Sequence, residues 1–228
     1  NFFPMIVNSD ERQWTWMDEG LNTFVQYLTE QEWDPNYPHR RGPAAKIAPY
    51  MALPKEQLEP IMTNSENIIG FGNNAYAKAA TGLNILRETI MGRELFDYAF
   101  KEYAKRWAFK HPTPDDLFRT LEDASAVDID WFIRGWYFTI DNVDISLDKV
   151  EWYKLNTQDP EVEYPIAEAN FNESREDIAM QRNKEEGMSY YVERDERLQD
   201  FYYSYDRFEV TEEAKLAYQR FSASLSEE

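Results

Sequence analysis

The sequence contains no cysteine, so it can form neither a disulfide nor a thiolate metal site. It has only two histidines, His39 and His111. His111 lies between Lys110 and Pro112 at an expected helix end, where a cation suits the dipole. His39 lies in a proline-rich stretch beside two arginines, and neither histidine has a partner at metal-ligand spacing. No apolar run reaches the ~20 residues that a membrane-spanning helix needs, and no secretory leader pattern is present. There is no G-x-S-x-G elbow, no phosphate-cradling glycine loop and no internal repeat. Positive charge is scarce: 24 basic residues stand against 43 acidic ones, a net charge of −19. A field of that sign repels nucleic acid and anionic membrane surfaces, so no nucleic-acid partner is expected. It fits a solvated acidic surface, or one that favours basic partners.

What remains is a chain able to build a core, with 43% hydrophobic and 16% aromatic residues over 228 positions. Met17, Leu21, Phe24 and Leu28 recur at helical spacing and predict a helix over Trp14 to Trp33. Residues 34–60 hold six of the eleven prolines and read as a long wrapping loop with a short helical turn or two. Ile68 to Asn74, with Gly70 and Gly72, reads as a turn-rich loop. Ala79, Leu83, Leu86 and Ile90 predict a helix from Ala75 that Gly92 stops. A further helix is expected over Glu94 to Phe109, with Phe96, Phe100, Tyr103 and Trp107 inward. Thr113-Pro114-Asp115-Asp116 supplies an N-cap hydroxyl, a proline at the first helical position and acids in the first turn. Another helix follows Asp128, carrying Trp131, Phe132 and Trp136, and Ile145, Leu147 and Val150 suggest a short extended stretch. Between Asn156 and Asp200, thirteen acids and five bases with few aliphatics read as a loosely structured connector. Thr211 to Leu225 reads as a closing helix with Thr211 as its cap. The fold class expected is mainly α, divided into residues 1–153 and an acidic, less regular extension over 154–228.

Two segments could carry chemistry. Glu19 lies in Trp14-Thr15-Trp16-Met17-Asp18-Glu19-Gly20, opposite the apolar stripe of the first helix, so it is either a solvated carboxylate or a metal ligand facing a cleft. Asp18 and Glu19 do not form a paired-carboxylate site, because adjacent helical residues point about 100° apart. Tyr76 opens Tyr76-Ala77-Lys78-Ala79-Ala80; it is either a helix-start aromatic or a phenol donor to a developing oxyanion.

Both segments resemble those of the aminopeptidase N-type zinc metallopeptidases, a gluzincin family. Trp16-Met17-Asp18-Glu19-Gly20, with Phe24 four positions on, is similar to the family's second zinc motif. Tyr76-Ala77-Lys78-Ala79-Ala80 is similar to its Tyr-x-Lys-Gly-Ala segment, with Ala79 where glycine is usual. Thr113 to Phe118 and Asp128 to Trp136 look like the helical end of the same domain. The resemblance implies the helical, C-terminal half of a thermolysin-like catalytic domain. It implies zinc held by two histidines of an H-E-x-x-H helix and by Glu19, with the glutamate of that helix as general base. It implies that Tyr76 stabilises the oxyanion and that a peptide substrate loses its N-terminal residue. Eighteen residues precede Glu19, the family's own interval, which would place the second histidine immediately before Asn1. The expectation is therefore a chain that starts just after the H-E-x-x-H motif, inactive and without zinc by itself, with an exposed apolar cleft that invites self-association. The rival expectation is a non-catalytic helical binding module, in which Glu19 and Tyr76 would have no reason to converge.

Overall fold

The computed structural model describes residues 2–142, 156–173, 177–198 and 208–225. Among them the secondary structure is entirely helical. Helix α1 (Trp16–Trp33) begins two residues later than the pattern predicts, and its stripe of Met17, Leu21 and Phe24 is fully buried. Asp18 and Glu19 occupy its first turn, where carboxylates complement the helix dipole. The proline-rich stretch holds helix α2 (Ala44–Met51), which ends two residues after its internal Pro49.

Helix α3 is composite. Gly72–Lys78 is π-helical, Ala79–Ile85 is α-helical, and Leu86–Ile90 is π-helical again. It starts earlier than the expected Ala75, through what reads in sequence as a glycine-rich loop. The reason is tertiary. The fully buried Asn74 donates through its amide to the carbonyls of Glu59 and Pro60, both at 3.0 Å, and Glu59 accepts the N–H of Gly70 at 3.0 Å. Gly92, at φ +81°, then turns the chain into α4 (Arg93–Trp107).

Helices α4 and α5 (Pro114–Ser125) pack as a pair, with Phe96, Tyr103, Leu117 and Leu121 buried between α1, α3 and themselves. The Asp116 carboxylate accepts the Thr113 N–H and hydroxyl at 2.9 Å each, so the expected start of α5 is present. Helix α6 (Asp130–Phe138) buries Phe132, Ile133 and Tyr137, whereas Trp131 stands 65% exposed, touching only the edge of Phe132 among the described aromatic rings. Gly82 is what lets α6 cross α3, since a Cβ there would lie 2.6 Å from Nε1 of Trp136. The extended stretch expected around Ile145 to Val150 lies outside the described residues.

The acidic extension is less regular, yet more helical than its composition suggests: α7 (Pro160–Glu173), α8 (Ile178–Glu185), the single turn α9 (Tyr191–Arg194) and α10 (Glu212–Leu225). The Thr211 hydroxyl accepts the N–H of Ala214 at 3.2 Å, as its reading as a cap requires. Helix α8 docks onto the body that precedes it. Ala179 and Asn183 are buried, and Arg93 donates to Asn183 Oδ1 at 2.9 Å and to the Ala179 carbonyl at 2.8 Å. Beneath them Glu88, 1% exposed, meets Arg87 at 2.7 Å, Arg93 at 3.0 Å and Arg182 at 3.1 Å. Asp177 caps α8 and also accepts the hydroxyl of Tyr27 from α1. Among the described residues no helix is long and apolar enough to cross a membrane.

Candidate active site

Glu19 stands in the first turn of α1, and Tyr76 in the first π-helical segment of α3. They lie 57 positions apart in sequence, yet Tyr76 Oη donates to Glu19 Oε1 at 2.5 Å. The approach depends on the residue after Glu19. Gly20 has no side chain, and a Cβ there would fall 2.6 Å from Ala79 Cβ and 3.0 Å from the Ala75 carbonyl oxygen. Helices α1 and α3 therefore touch backbone to backbone just where the two side chains meet. Ala79, the position at which this chain departs from the family's usual glycine, is the residue that Gly20 packs against. Wide π-helical turns recur at functional sites because they shift side chains out of α-helical register, and Tyr76 sits within one.

Around this pair the electrostatics are uneven. Burial and the hydrogen bond to Glu19 push the Tyr76 phenol up to about 12, so at neutral pH it is a proton donor. The Arg41 guanidinium lies over the Tyr76 ring, 4.4 Å from its centroid, and Phe71 approaches the same ring at 6.0 Å. Asp18, only 8% exposed, is pushed up to about 7, first by burial and then by its neighbours Glu11 and Glu19. The Asn22 amide bridges Asp18 Oδ1 at 2.7 Å and the Phe3 carbonyl at 2.5 Å, tying the start of the chain to α1. Lys78 plays no part at the pair. It is buried elsewhere, reaching the Thr139 carbonyl at 3.4 Å, and desolvation pushes its ammonium pKa down.

Glu19 also lines an open cleft of ≈ 770 Å³ that runs along the outer face of α1. The expected apolar floor is present only in part. Phe3, Pro4, Met5, Val25 and Trp33 are interleaved there with Asp18, Asn22, Gln26, Thr29 and Glu30, so apolar and polar surface share the lining. Tyr76 reaches Glu19 from outside the cleft's lining.

Neither histidine joins Glu19. His39 Nδ1 pairs with Glu30 Oε2 at 2.9 Å, and His111 Nδ1 with Asn8 Oδ1 at 2.8 Å. Glu30 lies eleven residues beyond Glu19 on α1, roughly 16 Å along the axis. Glu122, Asp128 and Asp130 come within 4.8 Å of one another, but this acidic group at the α5–α6 turn does not include Glu19. The described residues thus offer one donor at Glu19, where a catalytic zinc needs three from protein. Sequence reasoning singled out Glu19 and Tyr76, which the structure brings into contact, weighed Asp18 only as a partner of Glu19, and did not single out Arg41 or Asn22. Asp18 and Asn22 lie within a helical turn of Glu19, whereas Arg41, in the loop before α2, carries no sequence signal that relates it to Tyr76.

An all-helical body that brings a motif glutamate and a motif tyrosine into contact is the arrangement expected of the helical part of a peptidase domain. A model of the peptidase family M1 domain matches residues 5–136, more than half of the chain. The chain is 23% identical over 164 residues to Aminopeptidase M1-B of Oryza sativa subsp. japonica, covering 64% of itself and 18% of the rice protein. It is 24% identical over 150 residues to Probable aminopeptidase 1 of Sulfurisphaera tokodaii, covering 61% of itself and 19% of that protein. No solved structure matches it. The chain belongs to peptidase family M1, and it spans about a fifth of the length of the curated relatives it matches.

Proposed function

We propose that this chain forms one wall of the catalytic centre of a zinc aminopeptidase, with Glu19 as a metal ligand and Tyr76 as the oxyanion donor. The observation that supports this reading is the 2.5 Å contact between two motif residues 57 positions apart. As a half-buried carboxylate at the edge of an open cleft, Glu19 fits one place in a zinc donor set. The other ligands and the general base would come from elsewhere in the protein. Zinc, when bound, supplies an acidified water to attack the peptide carbonyl. Tyr76 then needs to remain protonated and aimed, and its raised pKa and fixed ring provide both. Its hydroxyl donates to the oxygen that gains charge as the carbonyl is attacked. Glu19 accepts that hydrogen bond when no substrate is present. The substrate class is a peptide with a free N-terminus, and the isolated chain is inactive.

The test uses the complete peptidase. Glu19→Gln should lose metal. Tyr76→Phe should keep metal and lose turnover by about 10²–10³-fold, as oxyanion donors do. A Tyr76→Phe enzyme with native turnover removes Tyr76 from the mechanism.

A further inference from the structure

Arg41 is a half-buried cation in a chain with 43 acidic residues, and it pairs with none of them among the described residues. Its guanidinium lies instead over the face of Tyr76, 4.4 Å from the ring centroid. The backbone fixes it there. Gly42, the next residue, has φ +108°, and a Cβ on it would lie 2.3 Å from Cγ of Tyr27. Only glycine lets the chain pass flat over that ring. Tyr27 is itself buried, and His39 packs edge-on against the same ring at 4.9 Å while bonding Glu30 at 2.9 Å. Arg41 is therefore held between two anchored residues and pressed onto Tyr76 from a loop that carries no metal ligand.

We propose that Arg41 is a positioning residue for Tyr76, stacking on the phenol ring so that the hydroxyl stays aimed at the reacting centre beside Glu19. The proposal rests on the catalytic reading of Tyr76 given above. A guanidinium is suited to this task. It is planar, stays charged at any working pH, and is drawn to the negative face of an aromatic ring. A ring free to rotate about χ1 would place its hydroxyl several ångströms away. The stack restricts that freedom before substrate arrives.

In the complete peptidase, Arg41→Leu should lower kcat by about fivefold, the scale of a partly desolvated cation–π contact, with KM unchanged. In a Tyr76→Phe background the same substitution should cost nothing further, because the group it positions is gone. Arg41→Lys, which keeps a cation within reach of the ring, should recover part of the loss. Independently of turnover, 19F NMR of this chain with 3-fluorotyrosine at position 76 should give one narrow resonance in the native chain. It should give a broadened or doubled resonance in Arg41→Leu. A rise in KM at constant kcat would make Arg41 a substrate-binding residue and overturn the proposal. So would a loss that adds fully to that of Tyr76→Phe, or a 19F spectrum indifferent to Arg41. A Tyr76→Phe enzyme with native turnover would defeat the reading of Tyr76 as well, whereas the additive result leaves that reading standing.

Discussion

Gly20→Ala isolates the contact on which the site depends. The added Cβ would begin 2.6 Å from Ala79 Cβ and 3.0 Å from the Ala75 carbonyl oxygen. Carbon atoms rest at about 3.5–4.0 Å, so α1 and α3 must separate by about 1 Å. Both neighbours lie on or beside the α3 backbone, and neither is the end of a flexible side chain that could swing aside. Overpacking of this kind costs about 1–3 kcal/mol. Against it stands the gain of replacing glycine within a helix, about 1 kcal/mol. The net expectation is a destabilisation of about 1 kcal/mol, or about 2–4 °C in Tm for a chain of this size. The same 1 Å would stretch the Tyr76–Glu19 bond from 2.5 Å to about 3.5 Å, past useful hydrogen-bond length. Urea denaturation of Gly20→Ala, Ala79→Gly and the double variant gives the assay. Ala79→Gly alone should cost about 1 kcal/mol of helix propensity. In the double variant the Cβ–Cβ clash disappears while the Ala75 carbonyl contact at 3.0 Å stays, so most of the overpacking term, up to about 2 kcal/mol, should emerge as a coupling energy. Strictly additive single effects, or a Gly20→Ala chain more stable than the native one, would refute the close-approach argument.

Three further outcomes can be measured on the same chain. Asp18 is pushed up to about 7 from a reference of 3.8, so the folded state holds its proton more tightly than the unfolded state. Its contribution to stability is complete below pH about 4 and is lost as pH rises through about 7; Asp18→Asn should remove that slope, and parallel stability–pH curves for the two chains would count against it. Glu88→Gln leaves three arginines facing a neutral amide at a buried position. Because Arg87 keeps Asp97 and Arg93 keeps Glu186, the cost should fall at the low end of buried-pair disruption, about 3 kcal/mol, and limited proteolysis should cut ahead of α8 more readily; unchanged melting and digestion would show that the network does not hold α8. Calorimetric titration should find at most weak zinc binding to the isolated chain, since one carboxylate makes no closed or catalytic site; tight one-to-one binding would show that the ligands are wrongly assigned.

Much of this arrangement was legible in the sequence because its signals are local. The stripe Met17, Leu21, Phe24 forms one buried face of α1, and Thr113-Pro114-Asp115-Asp116 starts α5 where a cap, a proline and a first-turn carboxylate should. Where the reading failed, a distant partner had the deciding influence. Gly70 and Gly72 signal a loop, and Gly70 does lie in one, yet the segment from Gly72 onward is helical, held by the buried amide of Asn74 on the Glu59 carbonyl. The acidic stretch from Asn156 to Asp200, which includes Ile178 to Glu185, reads as a loosely structured connector. Its arginine, asparagine and capping aspartate find buried partners in Glu88, Gln31 and Tyr27, each some ninety or more positions away. The sequence names Trp131 beside Phe132 and Trp136 without telling which faces the core, and α6 presents Phe132 and Ile133 inward and leaves Trp131 exposed.

The pairing of Glu19 with Tyr76 lies between these cases. No periodicity relates two residues on different helices, so the sequence could supply only their identities and a family pattern. Their convergence follows from steric facts spread over the chain. Gly20 and Ala79 are small enough for α1 and α3 to meet, the π-helical segment turns Tyr76 toward that meeting point, and Gly42 brings Arg41 down onto its ring. Glycine in the Glu19-Gly20 motif is therefore explained by packing, not by backbone angle, since Gly20 lies inside a regular helix and not among the positive-φ residues. A chain that kept Glu19 and Tyr76 but placed a larger residue at position 20 would carry the motif's chemistry without its geometry.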